Sequence, residues 1–546
     1  MKKFFMALSA AAILCASCTG LDENIYSTMT SEQYYSNFSE DDIPAALGKL
    51  YSDLRLLYAG TAVHTGGCWL YTNEEVGDIW ITPKRGGAWY DGGIYFRLNQ
   101  HKWDYDDAHI LGNWRRAYQC INDCNRLLFE FGNAGVDIPS MTAEIRTARA
   151  WWYFVLCDMY GNVPIETTYD VPDGYLPETK TRQQVFDFIV TELKESIPDL
   201  VAKEYGRWNR WAAKCLLAKL YLNAASWGVT VEDGNAWDKV VALCDEIMTE
   251  GGYILEDDYK ASFVTENEGS REIIMAAVND EVYNPWSDMP WTLHLCTMHW
   301  KYCYHGETVT QYWGGCCSTP EFAYSYDPDD LRYEKSWFEG QLYDNTGEYT
   351  GKVGSPLYCD PWDSRNQGDL LCHTKDIPIL LNEQGVPDDI PTTSEASGVR
   401  MQKYEIKKGC LNSLSNDFVL FRYADIYFMK AEALYWKNGG TATGEICDLI
   451  NEVRKRAFVN FTDDKKVTPA TLDNERFLLE YGWEFCTEGW RRQQLIRFGK
   501  FTTGTWFLHD TPSEEYRKLF PVPRAEMLAN PKLVQNPGYP SPQKDA

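Results

Sequence analysis

Apolar residues recur at helical spacing along much of this chain, and that periodicity constrains the fold more than any other feature. Within 142–161, Ile145, Ala148, Trp152, Val155 and Met159 fall alternately three and four residues apart, forming one face of a helix. Gly161 stands where such a helix would stop. Ala213, Leu216, Leu220 and Ala224 form a second stripe within 211–225, and Ala424, Phe428, Ala431 and Tyr435 a third within 421–435. Small and large apolar residues alternate on these faces, so neighbouring helices can approach closely. Further helices are predicted over 43–58, 113–130, 182–197, 237–250, 444–457 and 472–492, the last capped near Thr471 and Glu475. The pattern predicts an all-α dominated fold, a scaffold of tetratricopeptide-like helical hairpins with little β structure, although no clean repeat period runs through it.

Residues 263–415 break the pattern. They are rich in Gly, Pro, Asp, Tyr and Trp and carry no sustained period. Long irregular stretches inside a large domain are usually functional loops, and aromatic richness argues against disorder. A second irregular aromatic stretch is expected over 69–103. The organisation read from this is one unit over 43–546: a helical scaffold at 43–262 and 416–500, an irregular insert at 263–415 and a C-terminal extension at 501–546.

The first residues are Met1-Lys2-Lys3, followed by an uncharged run over 4–14. That run is too short to span a bilayer and has the length of a signal-peptide core. Residues 1–17 therefore read as a signal peptide. Cys15-Ala16-Ser17-Cys18 resembles a bacterial lipobox, with Cys18 as the lipidation site and 18–42 as a tether. Several acyl chains anchor a protein stably in a membrane where one chain does not.

The chain carries 79 acidic against 52 basic residues, a formal charge of −27. Nucleic-acid partners need clustered Lys and Arg, so they are excluded. The cysteines lack zinc-site spacing, and the eight histidines form no HExxH pair. No GxSxG elbow or phosphate loop is present, so neither a metal nor a cofactor is implied. Aromatic residues are abundant, with 21 Trp, 35 Tyr and 23 Phe. A flat aromatic ring can stack on the C–H face of a sugar while its rim stays wet, and few torsions are frozen in doing so.

Several segments, in chain order, resemble the SusD/RagB family of Bacteroidetes outer-membrane nutrient-binding lipoproteins. They are Ala143-Glu144-Ile145-Arg146 through Gly161-Asn162-Val163-Pro164, Phe421-Arg422-Tyr423-Ala424-Asp425 through Ala433, and Ile450-Asn451-Glu452-Val453-Arg454. Glu480 through Arg492 and Pro521-Val522-Pro523 with Gln535-Asn536-Pro537-Gly538-Tyr539 complete the set. The resemblance implies a surface glycan-binding protein that is not an enzyme, lipid-anchored in the outer membrane and facing outward. It also implies a partner, a SusC-like TonB-dependent transporter that receives the captured polysaccharide or oligosaccharide.

Pro83 through Gly93 resembles a loop of the family's glycan-binding subgroup, with Ala88 where that loop has an aspartate. Its four glycines permit sharp turns that push Trp89 and Tyr90 outward. Arg85 and Asp91 are placed to bond hydroxyls beside a stacked ring. Segments around Trp286 and Trp291, and around Trp313, resemble those that place further platform aromatics. Trp89, Trp286 and Trp313 are expected to form the main platform, with Trp291, Trp300 and Tyr302 beside it. A plant β-glucan or hemicellulose suits flat, unobstructed rings. Three rivals stand: a secreted glycoside hydrolase whose first suspects are Glu74 and Glu75, a peptide receptor of the same fold, and a purely structural lid with negligible affinity for ligand.

Overall fold

A computed structural model describes residues 38–58, 68–283, 293–302, 312–407 and 414–542. The signal peptide, Cys18, Trp286 and Trp291 lie outside the described residues. Long helices run over Ala108–Ala134, Pro139–Met159, Arg182–Ser196, Arg210–Trp227, Ala236–Glu250, Tyr423–Lys437 and Gly444–Arg454. Their starts follow from local side chains that satisfy the unpaired first-turn amides. Thr181 and Gln184 form a capping box. Asn209, Asn235 and Thr443 accept from the first turns of their helices.

Helices consecutive in the chain pack on one another, 108–134 on 139–159, 139–159 on 182–196 and 210–227 on 236–250. Helix Ala236–Glu250 then packs on Tyr423–Lys437. The helix before the irregular segment thus touches the helix after it. The scaffold continues as if the intervening residues were a long loop, which is the tetratricopeptide-like arrangement the periodicity predicts. No helix among the described residues is long and apolar enough to cross a membrane.

Strands among the described residues are short and paired in twos. Ile273–Ala277 runs antiparallel to Phe418–Arg422, Phe418 opposite Ala277 and Arg422 opposite Ile273, with a bulge between. The helix predicted over 421–435 is present from Tyr423 to Lys437, and its first two predicted residues instead end a buried strand, Phe418–Arg422. The continuous apolar run Phe418-Val419-Leu420-Phe421 suits a strand covered on both faces, which helical periodicity alone does not detect. Trp80–Ile81 pairs with Cys317–Ser318, Ile81 opposite Cys317. That two-residue ladder brings the glycine loop of 83–93 beside the segment holding Trp313.

Three other expectations change. The helix over 43–58 is broken into the turns Ile43–Ala46, Gly48–Leu54 and Arg55–Leu57. The stretch 69–103 contains helices Trp69–Glu75 and Ile94–Asn99. The helix over 472–492 is two, Asn474–Phe485 and Arg491–Arg497, and its N-cap is Asp473. Its break is tertiary in origin. Gly489 has φ +83°, and a Cβ there would lie 2.2 Å from the Trp69 ring. The backbone must approach that indole, and its amide donates to Glu74 at 2.7 Å.

A balanced ion network is buried where the irregular segment meets the C-terminal helices. Arg422 binds Glu272, Glu484 and Glu488 at 2.8–2.9 Å. Arg332 reaches Asp330, Glu480 and Glu484. Arg456 holds Glu272 and Glu484, Arg454 holds Glu480, and Lys403 holds Glu488 at 2.5 Å. These five cations and five anions are each at most 4% exposed. Burial by itself would raise the Glu484 carboxyl; Arg456, Arg422 and Arg332 overcome that and hold it far below the carboxylate range. Removing one partner strands the others in a dry interior. Arg422→Ala should therefore cost about 3–5 kcal/mol, seen as a large fall in the thermal midpoint. An unchanged midpoint would show that the network does not hold the fold.

Candidate functional site

The 83–93 loop is pinned from behind by its own arginine. Arg85 is 1% exposed, and its guanidinium donates to the carbonyls of Gly314 and Gly315 and to the Cys317 sulfur. The Trp89 amide donates to the Trp313 carbonyl at 2.8 Å. Segment 313–316 is held in turn on the 293–302 segment, with Trp313 bonding Leu295, Gly314 bonding Met298 and Gly315 bonding Cys296. Arg85 therefore ties two loops together, and the expectation that it contacts ligand is corrected. A guanidinium with several donors satisfies several inward-facing carbonyls at once, which is why it is buried here.

Trp89 and Trp313 are half-buried, their ring centroids 6.1 Å apart. Trp89 rests on Tyr95 at 4.5 Å and meets Tyr71 edge-on. The indole is thus packed partly on the core and against Gly315, and part of it remains exposed. Trp300 is also half-buried and lies against Gly314, where a Cβ would be 3.3 Å from its ring. Its indole N–H donates to Asp360 at 2.6 Å, and its ring stacks on His299 at 3.8 Å. Tyr349 donates from its hydroxyl to the Trp300 carbonyl. Tyr90 and Asp91 continue the loop, Tyr90 folded over Gly93 and Asp91 at φ +46° in the single turn Asp91–Gly93. Tyr302 is buried between Tyr312 and Phe338, so it is a core residue and its proposed ligand contact is corrected.

The most exposed ring here is one that periodicity and family resemblance do not single out. Trp362 is 64% exposed. It lies across Gly86 and Gly87, where added Cβ atoms would come within 2.8 and 2.9 Å of it. The two glycines thus serve as a seat for an indole. Trp362 stands in Asp360-Pro361-Trp362-Asp363-Ser364-Arg365, a tryptophan between two aspartates with no helical or alternating apolar pattern around it. That isolation is the signal that would have found it. Asp360, two residues earlier, is the acceptor of Trp300, so the two indoles border one patch. Tyr349 and Tyr358 are exposed nearby in the chain, and the Tyr358 carbonyl accepts from Lys301. Trp89, Trp300, Trp313 and Trp362 are thereby gathered around residues 86–88 and 314 from four separate segments.

Glu74 and Glu75 are not loop acids. Both are fully buried on helix Trp69–Glu75. Glu74 accepts from the Gly489 amide and Glu75 from the Thr82 hydroxyl and amide. Burial pushes each carboxyl up to about 8. Neither flanks the open aromatic surface. The described residues hold no group of three or more His, Cys, Asp and Glu arranged to take a metal ion.

Comparison with known proteins agrees with this architecture. A family model described as "SusD family" matches residues 310–539, and one described as "Starch-binding associating with outer membrane" matches 83–222. The starch-binding protein SusD of Bacteroides thetaiotaomicron is 25% identical over 488 residues, covering 83% of this chain and 82% of that protein. A SusD superfamily protein of Parabacteroides distasonis superposes with a TM-score of 0.70 at 20% identity, covering 92% of this chain and 100% of its own. The surface glycan-binding protein A of Bacteroides thetaiotaomicron, solved with laminarihexaose, gives 0.68 at 19% identity, covering 91% and 100%. The fold is that of the SusD-like helical-scaffold proteins. With both models matched in chain order, the protein belongs to the SusD/RagB family.

The two buried carboxyls have a consequence for stability. Their folded values, about 8, lie above the ordinary value of 4.5, so the fold favours their uncharged forms. Their contribution is complete below about pH 4.5 and is lost as pH rises through about 8. Glu75→Gln should retain more of its thermal midpoint than wild type between about pH 6 and about pH 9. Parallel midpoint curves for the two proteins would refute this.

Proposed function

We propose that the protein is a cell-surface glycan-binding lipoprotein, anchored in the outer membrane through Cys18, that captures a polysaccharide or oligosaccharide and passes it to a SusC-like TonB-dependent transporter. The observation that carries the capture step is Trp362, a largely exposed indole seated on Gly86-Gly87 beside Trp300, Trp89 and Trp313. Flat rings with one face toward solvent and the other braced by protein suit the C–H faces of sugars. Tyr90 and Asp91, at the end of the same loop, are proposed as rim contacts, and Trp286 and Trp291 remain proposed members of the platform. The transfer step and the outward orientation rest on family membership alone.

The protein acts by binding and not by hydrolysis. Glycosidic cleavage needs two carboxylates flanking the scissile bond. Glu74 and Glu75 are enclosed in the core and bonded to Gly489 and Thr82. A β-glucan or hemicellulose is the proposed ligand class, and the neighbour solved with laminarihexaose makes that oligosaccharide the first probe. A peptide receptor would need a deep pocket in place of an exposed ring.

Trp362→Ala should weaken glycan binding by about 2 kcal/mol, roughly thirty-fold in Kd, with the thermal midpoint near wild type. Titration calorimetry against laminarihexaose, xyloglucan, xylan, mannan and a peptide panel reads both the affinity and the ligand class. Equal affinities of wild type and Trp362→Ala for every glycan bound would remove the platform from this surface. Reducing ends accumulating on incubation with polysaccharide would replace the binder with an enzyme.

A further inference from the structure

Beneath the aromatic surface lies a carboxyl that touches three of the segments carrying its rings. Glu395 is 1% exposed. Its Oε2 accepts the Asp360 amide at 2.9 Å and lies 3.3 Å from His299 Nε2. The Lys301 amide donates to His299 Nδ1 at 3.1 Å, so the proton of the neutral imidazole is on Nε2 and that nitrogen donates to Glu395. The other oxygen, Oε1, is buried without a hydrogen-bond partner and faces Gly86, whose Cβ position is 3.5 Å away.

Each contact leads to at least one ring. Gly86 is part of the seat of Trp362 and of the loop bearing Trp89. His299 stacks on Trp300. Asp360 holds the Trp300 indole N–H and the Lys301 ammonium, and stands two residues before Trp362. The main chain of the same strip adds two ties, Thr393 N–H to the Lys84 carbonyl at 2.8 Å and Arg400 to the Glu395 carbonyl at 2.8 Å.

Resting on the glycan-binding reading above, we propose that Glu395 is a positioning residue for that surface: uncharged, it lets the segments bearing Trp89, Trp300 and Trp362 close on one another, and ionised, it loosens them. The physical reason is the bare oxygen. An ionised carboxylate needs donors at both oxygens, and the Gly86 side supplies none. Charge there can be relieved only by admitting water between the glycine loop and residues 392–397, which unseats Trp362. The groups facing Glu395 are His299 and Lys301 from one segment, Asp360 from a second and Arg400 from a third, with His373 and Arg85 behind His299. Burial holds both His299 and His373 neutral, far below the usual histidine value, helped at His299 by His373 and then Arg400, and at His373 by Arg400. Burial lifts Glu395 to about 7. Of this cluster Glu395 therefore changes charge near neutral pH while the two imidazoles do not.

The sign follows. The uncharged carboxyl is favoured below about 7 and is lost as pH rises through it. Affinity of wild type for laminarihexaose should fall about tenfold between about pH 6 and about pH 8, whereas Glu395→Gln, uncharged throughout, should show a flat profile. A flat wild-type profile overturns the proposal, as do equal slopes in the two proteins; a merely structural role for Glu395 would change affinity without changing slope. Hydrogen exchange of 84–90 and 357–363, without ligand, tests the device separately from the ligand. Exchange in wild type relative to Glu395→Gln at matched pH should rise at about pH 8 and not at about pH 6. A ratio independent of pH overturns it, even if no glycan on the panel binds and the functional reading itself falls.

Discussion

Five buried cations balanced by five buried anions hold the irregular half of this molecule to its helical half. Asp330, Arg332 and Lys403 come from the long irregular segment, Glu272 from just before one paired strand and Arg422 from the end of the other, and Arg454, Arg456, Glu480, Glu484 and Glu488 from the C-terminal helices and the turn joining them. Apolar packing alone could let these parts slide, because it is non-directional. Bidentate guanidinium–carboxylate pairs have fixed angles and tolerate no unpaired member. The cluster thus fixes where the irregular segment sits, and that segment contributes three of the four rings around the glycine loop.

The same logic recurs at smaller scale under the aromatic surface. Arg85 is buried so that two loops share its donors, and Glu395 is buried so that two segments share one of its oxygens while a third, the glycine loop, packs on the other. The rings above are held by side chains that are themselves buried. A binding surface assembled from loops has high entropy unless its backbone is tied down, and buried polar hubs do this while leaving the outer face of each ring free. Trp300 shows the division: its N–H is taken by Asp360 and one face by His299.

Much of the scaffold was legible because helical periodicity is local. The stripes at 145–159, 213–224 and 424–435 each report a face that must be covered, and a neighbour three or four residues away is enough to reveal it. Legibility failed wherever a distant residue decided the outcome. The break after Phe485 depends on Trp69 lying against Gly489. The strand at Phe418–Arg422 depends on Ile273–Ala277 as its partner. Arg85 looks like a rim contact in sequence because a charged residue just before two glycines in an aromatic loop is usually exposed. The carbonyls that draw it inward lie more than two hundred residues away. Trp362 was missed for the converse reason, since its seat is a pair of glycines in another segment.

By itself, the sequence determined the class of fold, the exclusion of nucleic-acid partners by charge, the candidate anchor at Cys18, and the glycine loop as a place to look. These depend on composition, on spacing or on contiguous motifs, all of which survive without three-dimensional contacts. Only the tertiary structure decided which aromatic rings surround that loop, which polar residues turn inward, and that Glu74 and Glu75 are core acids. Exposure is a property of the whole packed chain. An indole and its seat, or a carboxyl and its donors, can be separated by any length of sequence, and only folding brings them together.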